Sequence, residues 1–154
     1  VTNVGECAFY GCANLTGVTI SESVSSIGQG AFNECESLPD ISIPQNVITL
    51  GDAAFGRCYS LVDAQLPNCL KTIGNSAFYK CSLSHINIPD SVTTIGNYAF
   101  YNCTALKEVY LPGVTALYDG GNTLLPFDGC TNLQIVNMDG LKTIPYNLFR
   151  KLRK

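Results

Sequence analysis

Eight cysteines and one histidine are the residues of this sequence with the clearest chemical potential. Six of the cysteines recur almost regularly, at positions 12, 35, 58, 81, 103 and 130, while Cys7 and Cys69 lie outside that series. Recurring thiols can bind a metal ion, form disulfides or pack as small apolar side chains. A cysteine that contacts a histidine can also act as a nucleophile. The spacing of these residues distinguishes among the four possibilities.

Metal binding and hydrolysis both fit the spacing poorly. A structural zinc site uses clusters such as C-x₂₋₄-C, and only Cys7 and Cys12 are close to each other in sequence. The apolar alternation around His85 places Cys81 inside and His85 outside, which keeps nucleophile and base apart. The sequence also lacks G-x-x-x-x-G-K and H-E-x-x-H motifs. We therefore predict that the protein is not an enzyme and has neither a metal site nor a cofactor.

Disulfide bonds remain an alternative, because the number of cysteines is even. A disulfide needs Cβ atoms about 3.8 Å apart with a twist of roughly 90°. Equivalent residues of stacked repeats point in parallel, so such pairs usually miss this geometry. A free cysteine is a small apolar residue that is often fully buried. We expect the regular column to fill the interior, and Cys7 and Cys69 to be the more exposed thiols.

The cysteine series is part of a longer repeat that runs along the whole chain. Phe occurs at 9, 32, 55, 78, 100, 127 and 149, at steps of 22 to 27 residues, and the first six are each followed three residues later by a column cysteine. Such a period indicates a solenoid of about six repeats of ~23 residues. The repeats start near residues 4, 27, 50, 73, 95, 117 and 144. We interpret 1–154 as one repeat domain and expect it to be a fragment of a longer array.

Each repeat combines two kinds of periodicity. Ile41 and Ile43 alternate with Asp40 and Ser42, which predicts a short strand, and Pro44 ends it because proline cannot donate to a sheet. A second extended or bent stretch runs over 47–50 and ends at a glycine. The spacing over 54–58 predicts one or two turns of α- or 3₁₀-helix. Each repeat is therefore strand, bend, short helical turn and return, and the strands form a parallel sheet.

The repeat motif V-x-x-I-G-x-x-A-F-x-x-C-x-x-L-x-x-V-x-I-P resembles the BspA-like leucine-rich repeat. The resemblance covers essentially the whole chain and is weaker after Leu117, where five residues are inserted around 118–122. It implies an α/β solenoid in the form of an arc, with a parallel β-sheet on the concave face and short helical turns on the convex side. The segment TIPYNLFRKL at 143–152 resembles the helix side of other leucine-rich repeats and is expected to close the stack. Members of the family are typically surface or secreted adhesion and recognition proteins.

The candidate binding residues are the polar side chains that alternate with the buried ones on the repeated strand. They form two columns on the open side of the sheet, which we call the concave strand face. An aromatic ring beside amide and carboxylate groups suits a glycan, and the acidic groups suit a cation or basic peptide. The predicted ligand-binding residues are Asp40, Ser42, Asp63, Gln65, His85, Asn87, Glu108, Tyr110 and Asn137.

Composition and charge exclude several other classes of protein. Apolar residues make up 46% and charged residues 14%, which argues against disorder, and no apolar run is long enough for a membrane helix. Residues 1–149 contain five Lys/Arg against twelve Asp/Glu, so this part, at −7, gives no basic surface for nucleic acid. Four basic residues follow at 150–154, where a solvated end is the simpler interpretation. We therefore expect neither nucleic-acid binding nor membrane insertion.

Two functional hypotheses remain. The first is an extracellular or cell-surface module that recognises a protein or glycan on a host or neighbouring cell through the concave strand face. The second is a structural spacer that binds nothing. Because residues 1–5 begin within a repeat, an uncapped first coil would expose apolar side chains. We expect further protein before it, or self-association through that coil.

Overall fold

The computed structural model describes residues 1–111, 116–117 and 126–138 as a stack of coils, each contributing two short strands. All strand pairs are parallel. The strands are β1 (Asn3–Val4), β2 (Ser26–Ile27), β3 (Asp40–Ser42), β4 (Thr49–Leu50), β5 (Asp63–Gln65), β6 (Thr72–Ile73), β7 (His85–Asn87), β8 (Thr94–Ile95), β9 (Glu108–Tyr110), β10 (Ala116–Leu117) and β11 (Ile135–Asn137).

The strands form two parallel ribbons on different sides of each coil. One ribbon is a six-stranded sheet in the order β1-β2-β4-β6-β8-β10, built from the two-residue strands, of which the first five are each followed by a glycine. The other contains the three-residue strands, paired as β3-β5 and β7-β9-β11. Equivalent repeat positions pair directly, as in Leu50 with Ile73. This register confirms the parallel-strand solenoid, and it shows that the predicted bent stretch also forms a sheet.

The third side of each coil consists of consecutive tight turns. No helix occurs in the described ranges, so tight turns take the place of the predicted short helical turns. In the third coil, Ala53 and Arg57 adopt left-handed backbone conformations, with φ of 52° and 58°. The N–H groups of Ala53, Phe55 and Arg57 donate to carbonyl oxygens of the next coil at 2.6–2.8 Å. The intervening amides of Ala54 and Gly56 donate backward within their own turn. A helix directs the amides beyond its first turn to its own carbonyl oxygens, whereas this alternation ties neighbouring coils together.

Stacked phenylalanine rings occupy the centre of the stack. Six rings from Phe9 to Phe127 lie one per coil, with successive centroids 5.0–5.4 Å apart and planes within 10°. Phe32, Phe55, Phe78, Phe100 and Phe127 are fully buried. The column cysteines from Cys35 onward are also buried, with at most 2% exposure, at Cys81. Rings offset in this way add to the burial of apolar area. Each coil thus completes its core only against its neighbours.

The glycines that follow β2, β4, β6 and β8 permit the coils to approach closely. A Cβ atom added at Gly51 would lie 2.5 Å from the backbone nitrogen of Gln29 in the preceding coil. The equivalent distance at Gly96, to Asn75, is also 2.5 Å. Real Cβ atoms do not approach backbone atoms this closely, so these positions require glycine.

The first coil forms one end of the described stack. Val4, Phe9, Val18 and Ile20 are only partly buried there, and they line a mostly apolar hollow of about 380 Å³. Self-association through this end stays a prediction. The insertion at 118–122, the closing segment at 143–152, the repeat start near 144 and the basic residues at 150–154 lie outside the described residues.

Candidate functional site

The predicted binding residues lie in two adjacent columns on the three-residue strands. In the first column, Asp40 pairs with Asp63, and His85 pairs with Glu108. In the second, Ser42 pairs with Gln65, and Tyr110 lies between Asn87 and Asn137. The side chains are exposed or half-buried, while the residues between them, such as Ile41 and Ile86, are buried. The strands thus present these polar groups together, and their role in binding stays a prediction.

His85 carries the only imidazole on the concave strand face, and it contacts two polar neighbours. Its Nδ1 lies 3.1 Å from the hydroxyl of Ser84, and its Nε2 lies 4.0 Å from Oδ1 of Asp63. A serine, a histidine and an aspartate are the groups of a hydrolytic triad. Here Ser84 is the direct chain neighbour of His85, both are exposed, and neither lines the groove described next. The arrangement fits polar surface contacts better than an enclosed nucleophilic site, and Cys81 is buried away from His85 as predicted.

A groove of about 520 Å³ opens where β7 and β9 meet the loops that follow the strands, and we call it the Tyr110 groove. Asn87 and Tyr110 of the predicted set line it. Asn68, Asp90 and Ser91, which the sequence interpretation did not include, line its loop side. These residues follow the prolines that end the strands. That position in the repeat is the sequence feature that could have identified them as groove residues.

The regular cysteines form a repeated contact between coils. Each of Cys35, Cys58, Cys81, Cys103 and Cys130 donates its thiol, at 3.1–3.2 Å, to the carbonyl oxygen of the phenylalanine in the preceding coil. All eight cysteines are free. The thiols therefore supply buried hydrogen bonds in addition to the predicted packing. Among the described residues, no group of three or more His, Cys, Asp or Glu side chains is arranged to hold a metal ion.

Burial lowers the reactivity of four of these thiols at neutral pH. Desolvation raises the pKa of Cys35 and that of Cys130 to about 12, and it also raises the pKa of Cys81 and of Cys103. Since the thiolate is the reactive and metal-binding form, this shift disfavours a role for the four as nucleophiles or metal ligands.

The exposed thiols differ in part from those expected. Cys7 is exposed, as predicted, but Cys69 is only half-exposed. Its thiol donates to the carbonyl oxygens of Gln45 and Val47 at 2.8 and 3.2 Å. Cys12 belongs to the regular column and is nevertheless exposed, because it lies in the end coil. The repeat position alone therefore did not predict exposure.

The turn side also carries an aromatic cluster that the interpretation of the sequence did not include. The rings of Tyr79 and Tyr101 stack at 5.5 Å, and Tyr98 meets Tyr101 edge-on at 5.2 Å. Arg57, which forms a 2.7 Å salt bridge with Glu34, lies 6.0 Å from the centroid of Tyr79. Tyr79 and Tyr101 each lie one residue after a buried phenylalanine, so aligning the repeats at that position would have shown this pair. Glu34 and Arg57 likewise share the position two residues after a phenylalanine.

Three solved structures resemble this chain. A T. pallidum leucine rich repeat protein is 37% identical, with a TM-score of 0.80, and the match covers 89% of this chain and 63% of that one. A leucine-rich repeat protein from Bacteroides ovatus is 34% identical, with a TM-score of 0.73 and coverages of 90% and 41%. A leucine rich cell surface protein from Faecalibacterium prausnitzii is 30% identical, with a TM-score of 0.72 and coverages of 80% and 32%. The chain thus spans less than two thirds of the length of each of these three proteins. A comparison with curated proteins found no match.

The fold and the repeated core define a leucine-rich repeat solenoid. The model of the BspA type leucine rich repeat region, in six copies, matches residues 1–107 and 27–154. The chain belongs to this family. The described part of the chain has no helix with the length and apolar character that crossing a bilayer would require.

Proposed function

We propose that this solenoid is a binding module outside the cell, at the surface or secreted, which recognises a protein or glycan through the concave strand face. The observation that carries the proposal is the register of the three-residue strands, which holds two columns of polar side chains side by side above a buried core. A rigid sheet presents such groups with little loss of conformational freedom on binding. The F. prausnitzii relative, a cell surface protein, supports the location.

The charge on this surface favours partners that donate hydrogen bonds or carry positive charge. Asp40, Asp63 and Glu108 lie in one column, with His85 between the last two. Like charges placed opposite each other in a sheet are unfavourable. A bound cationic or hydroxyl-rich partner would relieve the repulsion between Asp40 and Asp63. We propose no catalytic role, because the serine, histidine and aspartate contacts lie on open surface.

The test is the binding of the purified domain to immobilised extracellular-matrix proteins and to epithelial cells, in a wild-type and a variant form. The double variant Asp63→Ala, Gln65→Ala removes both outward side chains of β5 and leaves the Tyr110 groove intact. We expect it to lower binding at least about tenfold, the effect of a central contact residue. Thr72→Ala, on the other ribbon, is the matched control and should bind as the wild type does. Equal binding by the double variant and the wild type would refute recognition through this face, whereas no binding by either form would favour the spacer.

A further inference from the structure

The Tyr110 groove combines an apolar floor with a polar rim. Its volume of about 520 Å³ lies within the roughly 300–1,000 Å³ of sites that hold small molecules. Leu66 and Ile88 contribute apolar surface to it, and the half-buried ring of Tyr110 forms one wall. Asn87 stands beside that ring, because it is the strand partner of Tyr110. The groove therefore places an aromatic face next to an amide.

The polar side chains of the rim are available to a ligand. Within the part of the chain that the structure describes, no hydrogen bond or ion pair engages the side chains of Asn68, Asn87 or Asp90. Ser91 donates its hydroxyl proton to the carbonyl oxygen of Leu70 at 2.7 Å, so that its oxygen can still accept a hydrogen bond. Two amides and one carboxylate thus converge on the groove with their hydrogen-bonding capacity unused.

The charge of the lining indicates which ligands it favours. Asp90 supplies a carboxylate, and no lysine or arginine lines the groove. A phosphate, sulfate or uronate would meet repulsion there without a compensating cation. A carboxylate accepts hydrogen bonds from hydroxyl groups, and amides both donate and accept, so that pairs of neighbouring hydroxyls suit this rim. The Tyr110 ring is suited to the apolar C–H face of a pyranose.

The backbone of β9 argues against an extended peptide that would add a strand beside Tyr110. Peptides that add a strand need a free sheet edge. Here β9 lies between β7 and β11 and has a partner on both sides. The N–H groups of Ile88 and Leu111 donate to the carbonyl oxygens of Tyr110 and Asn137, at 3.4 and 2.7 Å. At β9 the groove therefore offers side chains to a ligand, because the backbone of that strand is already engaged.

We propose that the Tyr110 groove binds a neutral oligosaccharide, with one sugar ring stacked on Tyr110 and its hydroxyls hydrogen-bonded to Asn87, Asn68 and Asp90. This rests on the recognition function proposed above and narrows its ligand. The groove is open and its polar contacts are few, so we expect a weak complex with a Kd of about 1 mM.

The experiment screens the purified domain on an array of neutral and acidic oligosaccharides. Binding is then measured by NMR titration with cellotriose, maltotriose, lactose and N,N′-diacetylchitobiose. Tyr110→Ala and Asp90→Asn should each weaken the binding of a neutral hit about tenfold or more, whereas Tyr110→Phe should stay within about threefold. Tyr59→Ala, which removes a tyrosine that is 45% exposed outside the groove, should leave binding unchanged. Asp90 is exposed, so its variant tests the proposal even if Tyr110→Ala fails to fold.

The outcomes separate this inference from the proposed function. Neutral-sugar binding that is lost in Tyr110→Ala and Asp90→Asn but retained in Asp63→Ala, Gln65→Ala supports the groove. If no neutral glycan binds while the Asp63→Ala, Gln65→Ala variant still loses its matrix or cell partner, the inference is overturned and the recognition function stands. If neither kind of partner binds, both fail. Exclusive binding of acidic glycans would also overturn the proposal.

Discussion

The thiol of Cys81 donates a 3.1 Å hydrogen bond to the carbonyl oxygen of Phe55, one coil earlier in the stack. The same contact joins Cys103 to Phe78 and Cys130 to Phe100. From Phe9 to Phe100, the carbonyl oxygen of each stacked phenylalanine accepts the thiol that follows the next ring, in addition to a backbone N–H of its own coil. Cysteine is a small, largely apolar residue that supplies this second donor without adding a strongly polar group to the core.

Replacing Cys81 with alanine should destabilise the protein by about 0.5–1.5 kcal/mol, because the carbonyl oxygen of Phe55 loses this hydrogen bond and keeps only the 3.4 Å bond from the Cys58 amide. Cys12→Ala is the matched control, since Cys12 occupies the same repeat position but is exposed. Its effect should be within about 0.5 kcal/mol. Urea unfolding followed by circular dichroism measures both. Equal effects of the two variants would contradict a role for the buried hydrogen bond.

Thiol labelling distinguishes free cysteines from disulfides. In the native protein, Cys7 and Cys12 should react rapidly with a thiol reagent, and Cys69 more slowly. The five buried thiols should react only after unfolding, because they are neutral and inaccessible. Mass spectrometry of the denatured, unreduced protein should find all eight cysteines labelled. Fewer labelled sites would reveal a disulfide and disprove the free column.

Adding one methyl group at Gly51 should disrupt the stacking of two coils. Gly51→Ala places a Cβ atom 2.5–2.9 Å from backbone atoms of Gly28 and Gln29, which cannot move without separating the coils. We expect a loss of about 2–3 kcal/mol in the free energy of unfolding. Gly17→Ala is the control, because no atom lies within 4 Å of its added Cβ. It should be neutral or stabilise by up to about 1 kcal/mol.

Replacing a non-glycine residue that has a left-handed backbone conformation with glycine should stabilise the turn side. Ala53 has a φ of 52°, and Ala53→Gly removes its Cβ from that conformation, so we expect a gain of about 0.5–1 kcal/mol. Ala54→Gly, at the buried neighbour, should instead cost about 1 kcal/mol. Thermal unfolding of the two variants should shift in opposite directions. A shift of both to lower temperature would show that the turns do not hold strain at Ala53.

Alkaline pH should destabilise the folded protein through its buried thiols. The folded-state pKa of Cys35 and that of Cys130 are about 12, against an ordinary 9.0, so the unfolded chain loses these protons first. Their stabilising contribution is complete below pH 9.0 and disappears as the pH rises toward about 12. Each thiol contributes at most about 1.4 kcal/mol per pH unit in that window.

Urea midpoints measured from about pH 8 to about pH 10.5 should therefore decline. The double variant Cys35→Ala, Cys130→Ala controls for the ionisation of tyrosines and should show a shallower decline. The same slope in both proteins would exclude these thiols as the cause.

The sequence predicted those parts of the fold that depend on the regular spacing of apolar side chains. Phe32, Phe55 and their equivalents must be apolar at every coil, so their spacing identified the solenoid and the buried face of each strand. The turn side was interpreted as helical because the Ala54-to-Cys58 spacing fits a helical turn. What decides the geometry there is the left-handed backbone at Ala53 and Arg57 and the hydrogen bonds to the next coil, and neither residue is of a type that indicates such a conformation.

The candidate site was predictable to a similar extent. The columns of outward residues follow from strand alternation, so the positions of Asp63 and Tyr110 could be inferred from the sequence. The Tyr110 groove depends also on how the loops after Pro67 and Pro89 fold back toward the strands, as Asn68 and Asp90 show. That loop path is set by contacts between coils, which no pattern within one repeat specifies.

The coil-to-coil hydrogen bonds have a mechanical consequence. Within the described coils, hydrogen bonds join each coil to its immediate neighbours, so a pulling force along the stack loads the outermost interface first. We expect the coils to detach one at a time from the end, each of about 23 residues releasing roughly 80 Å of contour length. Such a stack yields stepwise under tension, and a detached coil can re-form against the coils that remain.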